Sequence, residues 1–493
     1  MKKLGVWVFL FGSALYIWAS GIFQNGAHWA ASNEPVSDFL WARSHIDEPF
    51  KNWFGGWSIV GEAHPGPLYL WWIAIGMKIG GILNISEVAG GQLFMLLGSA
   101  ILIGTGSIAA SKFLKNQNAG WIYAFLWCAI SFRVDKAADH ALALQSWVVV
   151  LLLPILAMAL IGVSMKERGS IMWALVVTGL IVETRMEFFV PGLFLMVFLV
   201  IWAYLKKESF ILKTLVAFFL VFPLFVRLLM EGPYIVLRYI KGAYEQYQAD
   251  LGSTNSLAGL GEAARLNPYI VVGVLIISSV VGLVMWLRNK ENLGEGLIIL
   301  TISVGILLYA FVIGGHGEAH AHMLGGLVPF YGTYWYSSWY SRRPRNNVAA
   351  RFATGLCGII VAVAGSLSLP AQEIIIMNDP TIKETALEVK RNIQGPVVLS
   401  RGGELLTQEN MWLSIDDVAA LQLSLVGLGV DSCIYGERKD NDGGQIIPNT
   451  YVCETTSGRT QIIARPTGTA LPENEKIISG GLGEVWTVRG GRK

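Results

Sequence analysis

The sequence predicts a polytopic all-α membrane domain of about 12–13 transmembrane helices, followed by a small extracytoplasmic α/β domain. Three observations predict it. The chain is 53% hydrophobic and only 15% charged, with a mean hydropathy of +0.51, against about 25% charged residues in soluble domains. Apolar runs of roughly 20 residues recur through the first 370 positions, with basic clusters between them. After Pro370 the composition turns charged and glycine-rich. The 18 tryptophans and 16 tyrosines suit membrane interfaces. A net charge of +2 leaves no electrostatic footprint for nucleic acid.

Leu4 to Phe23 is the first apolar run. It is long for the core of a signal peptide and lacks an A-x-A site, so it reads as a retained span. Lys2 and Lys3 in front of it place the N-terminus in the cytoplasm. The polar stretch 24–66 is then the first outward loop. Candidate spans follow the pattern 4–23, 67–84, 89–110, 120–132, 141–163, 171–185, 189–204, 209–230, 269–287, 294–313, 323–340 and 350–369. Four basic groups separate them: Lys166 with Arg168, Lys206 with Lys207, Arg288 with Lys290, and Arg342, Arg343 and Arg345. The positive-inside rule makes these cytoplasmic. The loops near 133–140, 183–188, 231–268 and 314–322 then face outward, as does everything after 370. The count conflicts with this topology, because an inside start and an outside end require an odd number of crossings. Lys112 and Lys115 mark the conflict: they read as cytoplasmic, yet counting from the N-terminus puts them outside. The expected fault is in 85–140, where the run 120–132 is too short to cross and reads as a broken or half-crossing helix. Glu183, Arg185 and Glu187 interrupt 171–204 in the same way.

Residues 371–493 read as a separate α/β domain. Thr381 to Arg391 reads as a helix, Pro396 to Ser400 as a buried strand, Ile415 to Leu428 as an amphipathic helix and Val430 to Tyr435 as a strand. Ile462 to Ala464 and Val485 to Val488 are further strand candidates. The run Ser479 to Gly483 is glycine-rich but leads into a strand, so it is not a phosphate-binding fingerprint. Cys128 and Cys357 sit in apolar runs, whereas Cys433 and Cys453 lie in this polar region and are candidates for a disulfide.

The chemistry concentrates in the polar stretch Asn33 to Trp72. Asp38, Arg43, His45, Asp47, Glu48, Glu62 and His64 fall within 27 positions there, in a region otherwise mostly apolar. The order of Asp38, Arg43, Gly55-Gly56 and His64-Pro65-Gly66-Pro67-Leu68 resembles the GT-C superfamily of membrane glycosyltransferases, in particular a bacterial HPGPL-containing group. The resemblance is good over 33–75 and loose elsewhere. It departs from the pattern at Glu183 and Arg185, where an amide and a histidine would be expected. It implies transfer of a sugar from a polyprenyl-phosphate donor to a glycan or glycolipid acceptor, at the outer face of a bacterial inner membrane.

Such a transfer needs a carboxylate to take the proton of the acceptor hydroxyl, and cations around the departing phosphate. Asp38 is the expected base and Glu62 the second candidate. The alternative for Asp38, or for Ser37, is to cap a short helix Phe39–His45. Arg43 either pairs with Asp38 or binds phosphate; His64 binds phosphate or sugar, or is structural. Arg185 is the leading donor-phosphate ligand, since a guanidinium suits phosphate oxygens, with an ion pair sealing a helix break as its alternative. His316, Glu318, His320 and His322 are the best metal-like group, and His316 and His320 also serve as phosphate ligands in this reading. Gly314, Gly315 and Gly317 argue against a helix there, and in an extended loop the four would share one edge instead. A divalent metal is the lesser reading beside a cavity-lining or phosphate-binding histidine, and no cofactor is assigned. Two other classes stay open: a lipid or glycan transporter or flippase, which would favour repeats and midplane sites, and a non-catalytic subunit of an envelope polysaccharide machine.

Overall fold

The computed structural model describes residues 2–19, 33–47, 66–83, 87–116, 118–133, 145–185, 188–206, 208–232, 327–341, 380–402, 421–436, 451–480 and 484–489, with single positions between them. The expected spans 269–287, 294–313 and 350–369 lie almost wholly outside the described residues. The chain divides into two compact units. One combines Met1–Gln24 with Leu96–Gln372, the other Asn25–Met95 with Glu373–Lys493.

The first unit is helical. It holds α1 (Lys2–Ala19), the later part of α4 (Glu87–Phe113), α5 (Ala119–Arg133), α6 (Gln145–Ser164), α7 (Ser170–Thr184), α8 (Phe189–Leu205), α9 (Phe210–Glu231) and α10 (Leu327–Ser341). Among the described residues two helical stretches are long and apolar enough to cross a membrane, Leu93–Phe113 and Phe210–Met230. Of the two expectations for 120–132, a broken or a half-crossing helix, the break does not occur: α5 is continuous over the 15 residues Ala119–Arg133. The interruption at Glu183–Glu187 separates two helices that pack side by side, α7 and α8.

Small residues set the register of these helices. A Cβ on Gly104 of α4 would meet Ser13 Oγ of α1 at 2.5 Å, and one on Gly12 would meet Ser107 Oγ at 3.0 Å. Ser13 Oγ donates to the Ala100 carbonyl at 2.9 Å. As α1 advances from Val8 to Ser13, its partners on α4 recede from Ser111 to Ala100, so these two helices are antiparallel. Phe11 packs on Trp121 and Phe125 of α5, and Val8 lies against Gly120, so α1 and α5 run parallel. The start of α1, the end of α4 and the start of α5 therefore share one end.

The α6–α7 turn joins that end. Lys115 pairs with Glu167 at 2.8 Å, Phe113 packs edge-on against Trp173, and Lys112 lies over both rings. Helices α7, α8 and α9 then run down, up and down again in sequence. Gly192 of α8 abuts Val182 of α7, while Gly179 of α7 abuts Leu220 of α9. Lys2, Lys3, Lys112, Lys115, Lys166, Arg168 and Lys206 are thus gathered at one end of the unit, and Glu183, Arg185, Arg227 and Glu231 at the other. The outer faces of α8 and α9 carry exposed Phe194, Phe198, Ile211, Phe219 and Leu229, whereas Glu183, Arg185 and Arg227 are buried. Apolar residues outside and charges inside invert the arrangement of a water-soluble helix bundle.

The second unit contains α2 (Asn33–Asp47), α3 (Leu68–Ile82) and the first turns of α4. Pro67 fixes the start of α3, where the Trp71 N–H donates to its carbonyl at 2.8 Å. Helix α3 and the start of α4 meet through glycine: a Cβ on Gly90 would strike the Gly76 carbonyl oxygen and Gly80 Cα, both backbone atoms. The Trp72 indole N–H donates to the Phe94 carbonyl at 2.7 Å.

The rest of this unit is the α/β domain: α11 (Pro380–Asn392), β1 (Val397–Arg401), β2 (Ser432–Tyr435), β3 (Val452–Cys453), β4 (Thr460–Pro466), β5 (Glu475–Gly480) and β6 (Glu484–Arg489). The sheet order is β3-β2-β1-β4-β6-β5. Strands β3, β2, β1 and β4 are parallel, and β4, β6 and β5 are antiparallel. The helical turns at 421–427 belong to the β1–β2 crossover, and Gln422 ties them to the sheet through the Ser432 and Tyr451 carbonyls. The run Ser479–Gly483 follows a strand as well as preceding one, since β5 and β6 form a hairpin. Cys433 and Cys453 are joined in a disulfide across β2 and β3.

Glu475 organises the antiparallel half. It accepts two bonds from Arg465 at 2.6 and 2.7 Å, one from Arg489 Nε at 2.9 Å and one from Thr487 at 2.9 Å. These donors, Arg465 foremost, hold its carboxyl down at about 2 against the opposing effect of burial. A depressed carboxyl contributes stability above its ordinary value, and that contribution is lost as pH falls from 4.5 to about 2. Amide exchange in β4–β6 should therefore accelerate across that window. In the Glu475→Gln variant it should be faster already at neutral pH, by a destabilisation of about 3–5 kcal/mol. Helix packing is tested by Gly90→Ala, expected to destabilise the solubilised protein by about 1–3 kcal/mol in thermal unfolding. Gly5→Ala, where an added Cβ meets nothing within 4 Å, is the neutral control.

Candidate functional site

Two polar clusters stand out, one in each unit. The first is on α2. The helix begins at Asn33 with Pro35 in its first turn, a position proline tolerates. The expected helix Phe39–His45 is therefore the middle of a longer one, and Asp38 is not its cap. Asp38 lies inside the helix and is only 6% exposed. Aspartate has poor helix propensity. Its described neighbours are buried too: Phe39, Leu40, Trp41, Ala42, Ser44 and His45.

His45 is 1% exposed, with Nδ1 2.7 Å from the Trp41 carbonyl. A carbonyl only accepts, so Nδ1 carries a proton. Ser44 donates to the same carbonyl at 2.7 Å. Arg43 lies about 140° around the helix axis from Asp38 at 100° per residue. Its Nε lies 3.0 Å from Glu87, the first residue of α4. The acid it reaches is thus Glu87, which also suits the helix N-terminus. Nothing in the sequence around Arg43 identified that partner, 44 positions away.

The second cluster lies where α7 ends. Thr184 donates to the Leu180 carbonyl at 2.6 Å, a back-bond that bends a helix, and Arg185 is extended with φ −141° and ψ 128°. The Phe188 N–H returns to the Arg185 carbonyl at 3.2 Å, and α8 begins at Phe189. Glu183 is 1% exposed, and Arg185 is buried as well.

Helix α9 completes this cluster. Pro223 supplies no N–H, and its ring loosens the hydrogen-bond ladder around it. The next N–H, that of Leu224, donates to Glu183 Oε1 at 3.3 Å. Arg227, one turn further along α9, is 3% exposed and attracts the Glu183 carboxylate. The second oxygen, Oε2, is buried and has no hydrogen-bond partner. The sequence marked Arg227 only as a flank of the following loop; an arginine four residues after a proline in an apolar helix was the available signal.

Lys213, also buried on α9, pairs with Glu208 at 2.9 Å near the start of that helix. It serves the α8–α9 turn rather than the Glu183 cluster. Glu62, His64, His316, Glu318, His320 and His322 lie outside the described residues. Among the described residues no three His, Cys, Asp or Glu side chains gather as metal ligands. Compared with known proteins, the chain matches no protein-family model and no curated protein sequence.

Proposed function

We propose that this chain is a polytopic membrane glycosyltransferase of GT-C type. It moves a sugar from a polyprenyl-phosphate donor to a glycan or glycolipid acceptor at the extracytoplasmic face. The observation that carries the reading is Asp38, a carboxylate buried in mid-helix in the segment after the first apolar helix. In this reaction the acceptor oxygen bonds to the anomeric carbon and its proton passes to Asp38. The bond from that carbon to the phosphate oxygen breaks, and its electron pair leaves with the polyprenyl phosphate. Arg185 is the cation assigned to that phosphate.

The topology of the reading follows from the shared basic end of the helical unit, taken as cytoplasmic. Helix α1 then runs outward and α4 inward, so Lys112 and Lys115 are cytoplasmic. The chain between them leaves and returns on the outer side, and the apolar run 67–84 makes no net crossing. Removing that run from twelve leaves eleven crossings, the odd number that an inside start and an outside end require. The Cys433–Cys453 disulfide supports the same placement, since such bonds persist in oxidising compartments.

The catalytic assignment is tested with purified protein and a panel of polyprenyl-phosphate sugars. Asp38→Asn should bind donor as the parent does and lose about 10²–10⁴-fold in transfer. Full activity in the variant would remove Asp38 from the reaction. Topology is tested with Lys115→Cys in a chain whose Cys128 and Cys357 are replaced by alanine. A membrane-impermeant maleimide should label position 115 only after cells are permeabilised; labelling of intact cells would restore 67–84 as a crossing.

A further inference from the structure

Among the described residues Glu183 is the most deeply buried acid of the helical unit, and half of its carboxylate is already engaged. The Leu224 N–H holds Oε1 at 3.3 Å, while Oε2 has no hydrogen-bond partner. Burying a carboxylate oxygen with nothing to donate to it is unfavourable. A bound group that supplies a donor relieves that penalty.

The surroundings select the kind of donor. Arg227 attracts Glu183 electrostatically without taking up Oε2, and Arg185 lies two residues further along the chain. The Arg227 guanidinium beside the carboxylate disfavours a metal cation there. An anion would be repelled by the carboxylate itself at Oε2. A neutral hydroxyl meets neither objection, and a hydroxyl donating to a carboxylate forms a short, charge-assisted bond.

We propose that Oε2 of Glu183 accepts a hydrogen bond from a hydroxyl of the transferred sugar, making Glu183 a sugar-binding residue separate from the base. This rests on the glycosyltransferase reading above. It adds a role that the phosphate assignment of Arg185 does not contain. The Leu224 N–H and the Pro223 interruption then serve to aim the carboxylate, fixing one oxygen so that the other presents its lone pairs in a constant direction.

The test uses the full chain in lipid nanodiscs and measures binding of polyprenyl-phosphate sugars, their mono-deoxy analogues and bare polyprenyl phosphate. Glu183→Gln keeps an oxygen for Leu224 and nearly the same volume, but turns the open acceptor into a donor. Thermal unfolding confirms that the variant is folded. The expected result is a loss of about tenfold for the sugar-bearing lipid, with binding of bare polyprenyl phosphate unchanged. One mono-deoxy sugar should lose about as much on the parent protein and nothing further on the variant, the signature of a direct pair. Equal losses for sugar-bearing and bare lipid would make Glu183 a clamp on α9 and overturn the proposal. So would an unchanged preference for the sugar in the variant. If the parent protein binds neither lipid, the glycosyltransferase reading itself falls, and this assignment with it.

Discussion

The close approach of apolar helices is the constraint on which the helical part of this structure depends. Helices that pack without a polar seam gain from van der Waals contact, and that requires backbones to come near each other. Gly12 and Gly104 give α1 and α4 that approach, Gly120 extends it to α5, and Gly179 and Gly192 do the same among α7, α8 and α9. Each such position fixes a register as well as a distance. Registers fix which helix ends lie together, and so Lys2, Lys3, Lys112, Lys115, Lys166, Arg168 and Lys206, scattered in the sequence, collect at one end. The charge asymmetry of the fold is a product of glycine placement.

Once the bundle is packed, its charged interior groups have few ways to be accommodated. Glu183 is served by a backbone N–H that a proline has loosened from its own helix, with Arg227 beside it. Lys213 has Glu208, and Lys115 has Glu167. These solutions differ in kind. The lysine pairs tie turns between consecutive or neighbouring helices, where side chains still reach the surface. The Glu183 cluster sits against a helix break, leaves one acceptor oxygen unsatisfied and brings positive charge to it. An arrangement that leaves a polar atom unserved is weak as a structural device, which is the physical reason to look there for a ligand.

Much of the fold was legible in the sequence because periodicity and composition act locally. The helix Thr381–Arg391 and the strands at Pro396–Ser400, Val430–Tyr435 and Val485–Val488 lie within a few residues of α11, β1, β2 and β6. The charged interruption at Glu183–Glu187 does separate two helices. What the sequence hid was long-range. It could not show that Lys115 meets Glu167, that Arg43 meets Glu87, or that Arg227 faces Glu183, because each pairing depends on helix register. The start of α2 was misplaced for another reason. Asn33, Glu34 and Pro35 read as loop chemistry, yet proline is compatible with a first helical turn, and this moved Asp38 from the cap into the helix interior. Strand β5 escaped notice because Glu475 and Lys476 break its apolar pattern, while tertiary partners, two arginines and a threonine, make the buried acid acceptable.

The carboxylates with visible partners sort by what they can do with a proton, and this narrows the chemistry. A general base has to take up a proton and give it back under working conditions. Glu475 cannot, since its carboxyl is held at about 2 by the donors around it. Glu87, Glu167 and Glu208 each already face a lysine or arginine within 3.0 Å. Glu183 is anchored through one oxygen to a backbone N–H, with Arg227 beside it. Asp38 differs from all of these in position: it lies in mid-helix, with its described neighbours Phe39, Leu40, Trp41, Ala42, Ser44 and His45 buried as well. In the reaction proposed above, a carboxylate that took up a proton would lose its grip on a hydroxyl donated to it, so taking the proton and holding a sugar hydroxyl are tasks for different groups.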